Sequence, residues 1–330
     1  MRPTHAADIL KAAELPALLI TNLTNIRYLS GLPVTAGVLL VHGRAMTLFV
    51  DARYTDMASR AYASVKVRGV ADLEKAMAAV QTCGYESDDV TVLRKSAWKK
   101  RFPKTTFVAK NSIIEEFRRS KSEEEIRLLK RAHRITKELL RRVPAVIRRP
   151  VTEEQLARRL QIWALELGAD GLSFDPIVAF GSHTACPHHR PTSRLLKKGH
   201  LVQIDVGAKV GGYCADMSQV YFTAEPTALQ KRVYNAILEA MGTAMQLAKK
   251  GASTRALDRA ARAVLDREGL DEFFVHALGH GVGLDIHEGP TLSAKARDQK
   301  LLVGEVCAVE PGVYFPGKFG MRVEDMIYID

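Results

Sequence analysis

The chain has 330 residues, of which 47% are hydrophobic and 26% charged, with a formal net charge of +11. That length and balance fit a globular protein of two domains and exclude an intrinsically disordered one. No apolar run reaches a membrane-spanning length, and Met1–Asp8 has no apolar core, so neither membrane association nor a secretory leader is expected.

The first third alternates short apolar runs with polar stretches. Ala17–Thr21, Gly37–Val41 and Ala45–Val50 have strand length, and Asp51-Ala52-Arg53-Tyr54 opens a helical stretch, 54–63. Val90–Leu93 and Thr106–Val108 read as further β material. Together these give a small α/β domain over 1–118 with no catalytic constellation of its own.

A second domain is expected over 119–330. Ser122 and Glu125 have capping-box spacing, which satisfies free N–H groups at a helix start, and Ile126, Leu129, Ala132, Thr136 and Leu140 continue a helical stripe to Arg142. Thr152 and Gln155 repeat the box for a helix ending at Gly168. Two more helices are expected, from about Thr227 to Lys250 and from about Thr254 to Glu268, each followed by a glycine.

Two segments between these helices share a pattern. Leu201–Gly207 is an apolar strand ending in Asp205-x-Gly207, followed by a glycine-bearing turn and then Asp216-Met217-Ser218. Val306–Gly312 ends in Glu310-Pro311-Gly312, followed by a turn and then Arg322-Val323-Glu324-Asp325. If the acids of each pair oppose one another, the first turn centres between Val210 and Gly211 and the second on Gly317, where turn residues stand. Each acidic pair then becomes cross-strand neighbours roughly 5 Å apart. Buried carboxylates so placed are costly unless cations lie between them, and two divalent ions would balance the charge of all four.

Two histidine-bearing stretches accompany the hairpins. In Phe274–Gly283, glycines flank His280 and let the backbone approach closely, and His287 follows beyond a short apolar stretch. Gly279–Gly283 lacks the spacing of a dinucleotide or phosphate loop, so no nucleotide site is expected there. His183, His188 and His189 cluster near glycine and proline on a loop after the apolar run Ile177–Phe180, which suits proton transfer.

Taken in order, Pro187-His188, Asp205-x-Gly207, Asp216-Met217-Ser218, Gly279-His280-Gly281-x-Gly283, His287-Glu288, Glu310-Pro311-Gly312 and Arg322-Val323-Glu324-Asp325 resemble the pita-bread metallopeptidases, peptidase family M24. Asn25–Gly31 and Asp51–Tyr54 resemble the creatinase/prolidase-type N-terminal domain of its Xaa-Pro branch. The resemblance implies a pita-bread catalytic domain with an internal pseudo-two-fold repeat. It implies five metal ligands, Asp205, Asp216, His280, Glu310 and Glu324, holding two divalent ions. Hard oxygen donors favour Mn²⁺, with Co²⁺, Fe²⁺ or Zn²⁺ as alternatives. His188 and His287 match the active-site histidines, and Arg322 matches an arginine that supports a ligand carboxylate. His183, His189, His276 and Glu288 read as structural or loop residues.

The implied reaction is hydrolysis of an Xaa-Pro bond by water activated between the ions, with His188 and His287 stabilising the oxyanion and Glu310 moving the proton. A dipeptidase needs a cationic clamp for the free carboxylate. Thr291 occupies the place where an arginine would serve, which favours an Xaa-Pro aminopeptidase, with the Xaa-Pro dipeptidase (prolidase) as the alternative. A catalytically inactive binding protein of the same fold would be expected to lack ligands, and none is missing. The partner is then a proline-containing peptide, with a homodimer implied by the family.

The chain stops at Asp330, soon after Glu324, where the family typically continues, so the last hairpin is expected to be less well supported than usual. The cysteines Cys83, Cys186, Cys214 and Cys307 lie far apart without a CxxC pair and read as reduced, buried thiols of a cytoplasmic protein. The basic excess gathers in runs such as Lys99-Lys100-Arg101, Arg118-Arg119, Arg141-Arg142 and Arg148-Arg149, which read as solvated surface. No zinc-finger, RNP or helix-turn-helix signature accompanies it, so nucleic acid is not an expected partner.

Overall fold

A computed structural model describes residues 5–330 apart from the side chain of Thr55; Met1–Thr4, part of the N-terminal stretch considered above, lie outside the described residues. The chain divides between Arg118 and Arg119 into two units.

In the N-terminal unit, helix α1 (Ala6–Ala13) leads into β1 (Ala17–Ile20), whose four residues are all buried. Helix α2 (Leu23–Ser30) begins at Asn22, whose side chain accepts from the Thr24 and Asn25 N–H groups. Strands β2 (Val38–His42) and β3 (Ala45–Val50) form an antiparallel hairpin, and β4 (Val65–Gly69) lies parallel to β3. Helix α3 (Leu73–Met77), β5 (Thr82–Glu86), α4 (Val92–Arg101), β6 (Thr106–Lys110) and α5 (Ile113–Arg119) complete the unit. The sheet order is β4-β3-β2-β1-β5-β6. Ala17, Leu19, Leu40, Phe49, Tyr85 and Trp98 build its core. Within the Asn25–Gly31 motif, buried Asn25 ties the unit together. It donates to Glu86 and Glu115, each at 2.6 Å, and accepts from the Arg118 guanidinium at 2.8 Å.

Four expectations are corrected here. Val90–Leu93 is not a strand. Thr91 caps α4 by accepting from the Arg94 N–H, and Val92 and Leu93 stand exposed while the helix buries Trp98. The stretch after Asp51 is a 3-10 helix, Ala52–Arg60, begun by an Asp51 carboxylate that accepts from the Arg53 N–H. Arg118 and Arg119 are buried rather than solvated: the first binds Asn25 and the second pairs with Glu305 at 2.6 Å. Cys83, Cys214 and Cys307 are buried free thiols, but Cys186 is exposed.

The C-terminal unit opens with α6 (Glu123–Val146), begun by the Ser122–Glu125 capping box and running past Arg142 through Pro144. Pro144 has no N–H to give the Leu140 carbonyl, which accepts from the Tyr221 hydroxyl at 2.7 Å instead. Helix α7 (Glu153–Glu166) starts at the Thr152–Gln155 box. Strands β7 (Gly171–Leu172), β8 (Ile177–Phe180), β9 (Leu201–Val206), β10 (Ala208–Val210), β11 (Tyr213–Cys214) and β12 (Met217–Phe222) follow. Next come α8 (Ala228–Leu247) and α9 (Thr254–Arg267), which bury Val233, Ile237 and Ala240 with Leu257, Ala261 and Leu265 in one cluster. Strands β13 (Gly279–Gly281), β14 (Glu288–Leu292), β15 (Val306–Val309), β16 (Gly312–Phe315), β17 (Phe319–Arg322) and β18 (Asp325–Tyr328) end the unit. Among the described residues, no helix is long and apolar enough to cross a membrane.

The two hairpins differ in register. In the second, Gly312 pairs with Arg322 and Val309 with Asp325, both in the register expected from a turn at Gly317; β18 is formed and paired with β15. Glu310 and Glu324 sit between these ladders. In the first, Asp205 pairs with Ser218, not Asp216. The turn is displaced because Gly211 and Gly212 take φ of +57° and +82°, the pair of left-handed positions that a two-residue hairpin turn needs. A shift of two residues preserves the face, so Asp216 remains a diagonal neighbour of Asp205.

Candidate metal centre

The four acids and one imidazole singled out by the sequence come together in the C-terminal unit. Asp205 lies in β9, Asp216 just ahead of β12, His280 in the middle of β13, Glu310 just after β15 and Glu324 between β17 and β18. The Glu324 N–H donates to the Ser218 carbonyl at 3.1 Å, which joins the two hairpins where their acids meet. Glycines beside His280 allow this closure. A Cβ on Gly281 would stand 2.1 Å from the Gly289 carbonyl oxygen, and one on Gly279 would stand 2.0 Å from that of Ala308.

His280 Nδ1–H donates to the Gly281 carbonyl at 3.0 Å, so its Nε2 lone pair faces the acids. That nitrogen is 3.6 Å from Asp216 Oδ2 and 3.7 Å from Glu310 Oε1. Ligand atoms of Asp216, His280 and Glu324 lie within 4.8 Å of one another. Burial lowers the His280 pKa to about 4, which keeps the ring neutral and able to act as a ligand. Burial, then repulsion from Glu324, Asp205 and Glu310, pushes Asp216 well above the usual carboxylate range. Glu324 rises for the same reasons, with Glu310 and Asp205 as the repelling charges. Glu310 is pushed up to about 7, chiefly by burial, against the pull of Arg322.

Divalent cations fit this donor set. Asp205 Oδ1 and Asp216 Oδ1 are buried without a protein donor, a cost that cation binding removes. Four carboxylates and one imidazole make a hard, oxygen-rich set with a net negative charge.

Arg322 stands at the edge of the cluster. Its Nη2 donates to Asp205 Oδ2 at 2.6 Å, its Nε to Ser218 Oγ at 3.0 Å and its Nη1 to the Tyr314 hydroxyl at 2.7 Å. Gln203 holds its main chain on both sides, accepting from the Arg322 N–H at 2.8 Å and donating to its carbonyl at 3.1 Å. The arginine therefore fixes Asp205 and offers partial charge balance to Glu310, 3.9 Å away.

His188 and His287 are exposed. The His287 ring lies 4.3 Å from that of His280, and its pKa is lowered by burial and then by His188. A neutral imidazole there can donate an N–H to a substrate oxygen.

Three residues belong to this region that motif reading did not place. His276 Nδ1 is 4.0 Å from Glu310 Oε2, and its Nε2 meets the Tyr314 hydroxyl at 3.1 Å. Its position four residues before His280, on the same glycine-rich stretch, was the available signal. Tyr314 had no sequence signal. Nor had Glu153, which gathers His183 and His189 into a second group of ligand-type atoms. That group needs no ion, because both Glu153 oxygens already accept from protein donors. Glu288 is structural: it accepts from Lys121 Nζ at 3.2 Å and from the Asp285 N–H at 3.1 Å.

Residues 127–330 match the family described as metallopeptidase family M24, and residues 2–120 match the creatinase/prolidase N-terminal domain. The chain belongs to metallopeptidase family M24. It is 32% identical over 323 residues to the Xaa-Pro dipeptidase of Pyrococcus horikoshii, covering 96% of this chain and 90% of that protein. Among solved structures, it resembles the Xaa-Pro dipeptidase from Bacillus anthracis with a TM-score of 0.94 and 31% identity, covering 98% and 94% of the two chains. An X-Pro aminopeptidase from Thermotoga maritima gives a TM-score of 0.87 at 31% identity, covering 97% and 95%. This M24 chain thus has the pita-bread catalytic fold behind a creatinase-type N-terminal domain, in a hydrolase family that uses divalent metals.

Proposed function

We propose that this M24 metallopeptidase is an Xaa-Pro dipeptidase that uses two divalent ions, Mn²⁺ by preference. The observation that carries the metal-dependent part is the buried, donor-poor cluster of Asp205, Asp216, His280, Glu310 and Glu324. The substrate part rests on the likeness, over nearly the whole chain, to proteins described as Xaa-Pro dipeptidases. When bound, the ions supply Lewis-acid polarisation of the scissile carbonyl and a lowered pKa for water.

The protein's own groups do the rest. Glu310, the cluster carboxylate most open to solvent at 19% side-chain exposure, carries a proton toward the departing proline nitrogen. His188 and His287 donate N–H groups to the substrate carbonyl as negative charge develops on it. Arg322 orients Asp205 through the bond to its Oδ2. Proline makes the scissile bond a tertiary amide without an N–H. The homodimer and cytoplasmic setting implied by the family belong to the same reading.

One observation favours a second reading, an Xaa-Pro aminopeptidase. Thr291, exposed and paired with His280 across β13 and β14, offers a hydroxyl and no cation for a dipeptide's carboxylate. Cleavage of Ala-Pro and Ala-Pro-Ala by the Mn²⁺-loaded protein separates them. A dipeptidase releases proline from the first and leaves the second intact; an aminopeptidase cleaves the second. If neither is cleaved, both readings fail.

A further inference from the structure

Glu153 is the first residue of α7 and is fully buried. Its Oε1 accepts from the Phe180 N–H at 2.8 Å and from His183 Nδ1 at 2.9 Å. Its Oε2 accepts from His189 Nε2 at 3.0 Å, from the Thr192 N–H at 3.0 Å and from the Thr192 hydroxyl at 2.7 Å. One carboxylate thus holds both ends of the loop 180–192 and two points within it. The helix start adds main-chain bonds to the same segment, Glu153 N–H to the Arg194 carbonyl at 3.2 Å and Glu154 N–H to that of Thr192 at 3.1 Å. Burial opposes ionisation of Glu153, but the donors on Thr192, His189, Phe180 and His183 outweigh it and hold its pKa below the usual value.

The loop carries His188 between two anchors. On one side, the Pro187 carbonyl faces the Arg322 guanidinium at 3.4 and 3.5 Å. On the other, His189 is held by Glu153. His188 itself is exposed and lies in an irregular segment, so its neighbours must limit where its ring can go. The Arg322 contacts are long and weak, whereas the Glu153 bonds are short and charge-assisted.

We propose that Glu153 is a positioning residue for His188, acting through its grip on His189 and Thr192, so that the loop presents the His188 imidazole to the substrate carbonyl. The inference rests on the role given to His188 in the proposed function. It assigns a reaction-related task to a helix-start carboxylate outside the metal centre. It also gives one to His189.

A double-mutant cycle tests it on the Mn²⁺-loaded full chain with Ala-Pro and Ala-Pro-Ala as substrates, scored on whichever is cleaved. Glu153→Gln keeps the size but turns an amide NH₂ toward existing donors. It should lower kcat/KM by roughly ten- to a hundredfold, with metal content unchanged. In a His188→Ala background the same change should cost about twofold or less, because the ring it positions is gone. His189→Leu, which cuts that link while leaving both Thr192 donors on Glu153 Oε2, should show the same dependence on His188 and covers the case of a poorly folded Glu153→Gln. Equal losses with and without His188 would overturn the proposal and leave Glu153 as a structural brace. Full activity of His188→Ala alone would instead overturn the role assigned to His188, and the proposal with it.

Discussion

Glu153 and Asp216 are both buried carboxylates of the C-terminal unit, yet their acidities move in opposite directions. Glu153 accepts five hydrogen bonds, from two main-chain N–H groups, two imidazoles and a hydroxyl. Asp216 has one buried oxygen without a donor and three other acids acting on it. The lesson is that burial alone does not mark a metal ligand. A buried acid surrounded by donors has already been satisfied by the protein, while one surrounded by other acids is stable only with a cation.

The difference can be broken most severely at the metal centre. Asp216→Asn should abolish measurable peptidase activity and reduce bound metal. The chelated variant should nonetheless be more stable than the chelated parent by about 1 kcal/mol, because a buried like charge has been removed. A lower melting temperature of the chelated variant would contradict that account.

Stability against pH sharpens the same contrast in metal-free protein. Glu310 rises from 4.5 to about 7, so the folded state holds its proton more tightly than the unfolded chain does. Its contribution is present below pH 4.5 and is lost as pH rises through 7, on the order of 3 kcal/mol. Glu153 has the opposite sign: its contribution is present above the unfolded value and is lost as pH falls through its lowered pKa. His280 acts in the opposite sense to Glu310, since its lowered pKa gives stability above 6.5 that is lost as pH falls through about 4. The Glu310 share is therefore read against Glu310→Gln: between pH 4.5 and 8, urea unfolding of the chelated parent should lose stability relative to that variant, and Mn²⁺ should flatten the difference. Parallel profiles for the two would show that Glu310 is not strained by its neighbours.

Glu153→Gln supplies the converse substitution. It should destabilise the metal-free protein by about 1–3 kcal/mol, since donors lose their acceptor and nothing repulsive is relieved. Tyr314→Phe should have the smallest effect, about 1 kcal/mol in urea unfolding, by removing the acceptor of Arg322 Nη1. Neither substitution should change the number of ions bound at saturating Mn²⁺, and a loss of metal from either would mean that the two environments are not independent.

Much of the candidate centre was legible because its chemistry is local. The acid-x-Gly strand ends, the glycines around His280 and the capping boxes at Ser122 and Thr152 each announce themselves within a few residues. The first hairpin was read two residues out of register because two turns were sterically open, and the Gly211-Gly212 pair decided between them. Val90–Leu93 misled because β-branched, apolar residues also begin a helix when a capping threonine stands between them and Trp98 needs burial. Arg118-Arg119 misled because partners for buried arginines, Asn25 and Glu305, are distant in sequence.

By itself, the sequence determined which residues could bind metal, where most helices begin, and that two hairpins repeat one pattern. Those are properties of residue type and short spacing. Only the tertiary structure decided which acids remain without donors, that Tyr314 and His276 border the centre, and that Glu153 spends both its oxygens on the His188 loop. Each of these depends on contacts between residues far apart along the chain, such as Glu153 with His189 and Asp205 with Arg322, which no local spacing encodes.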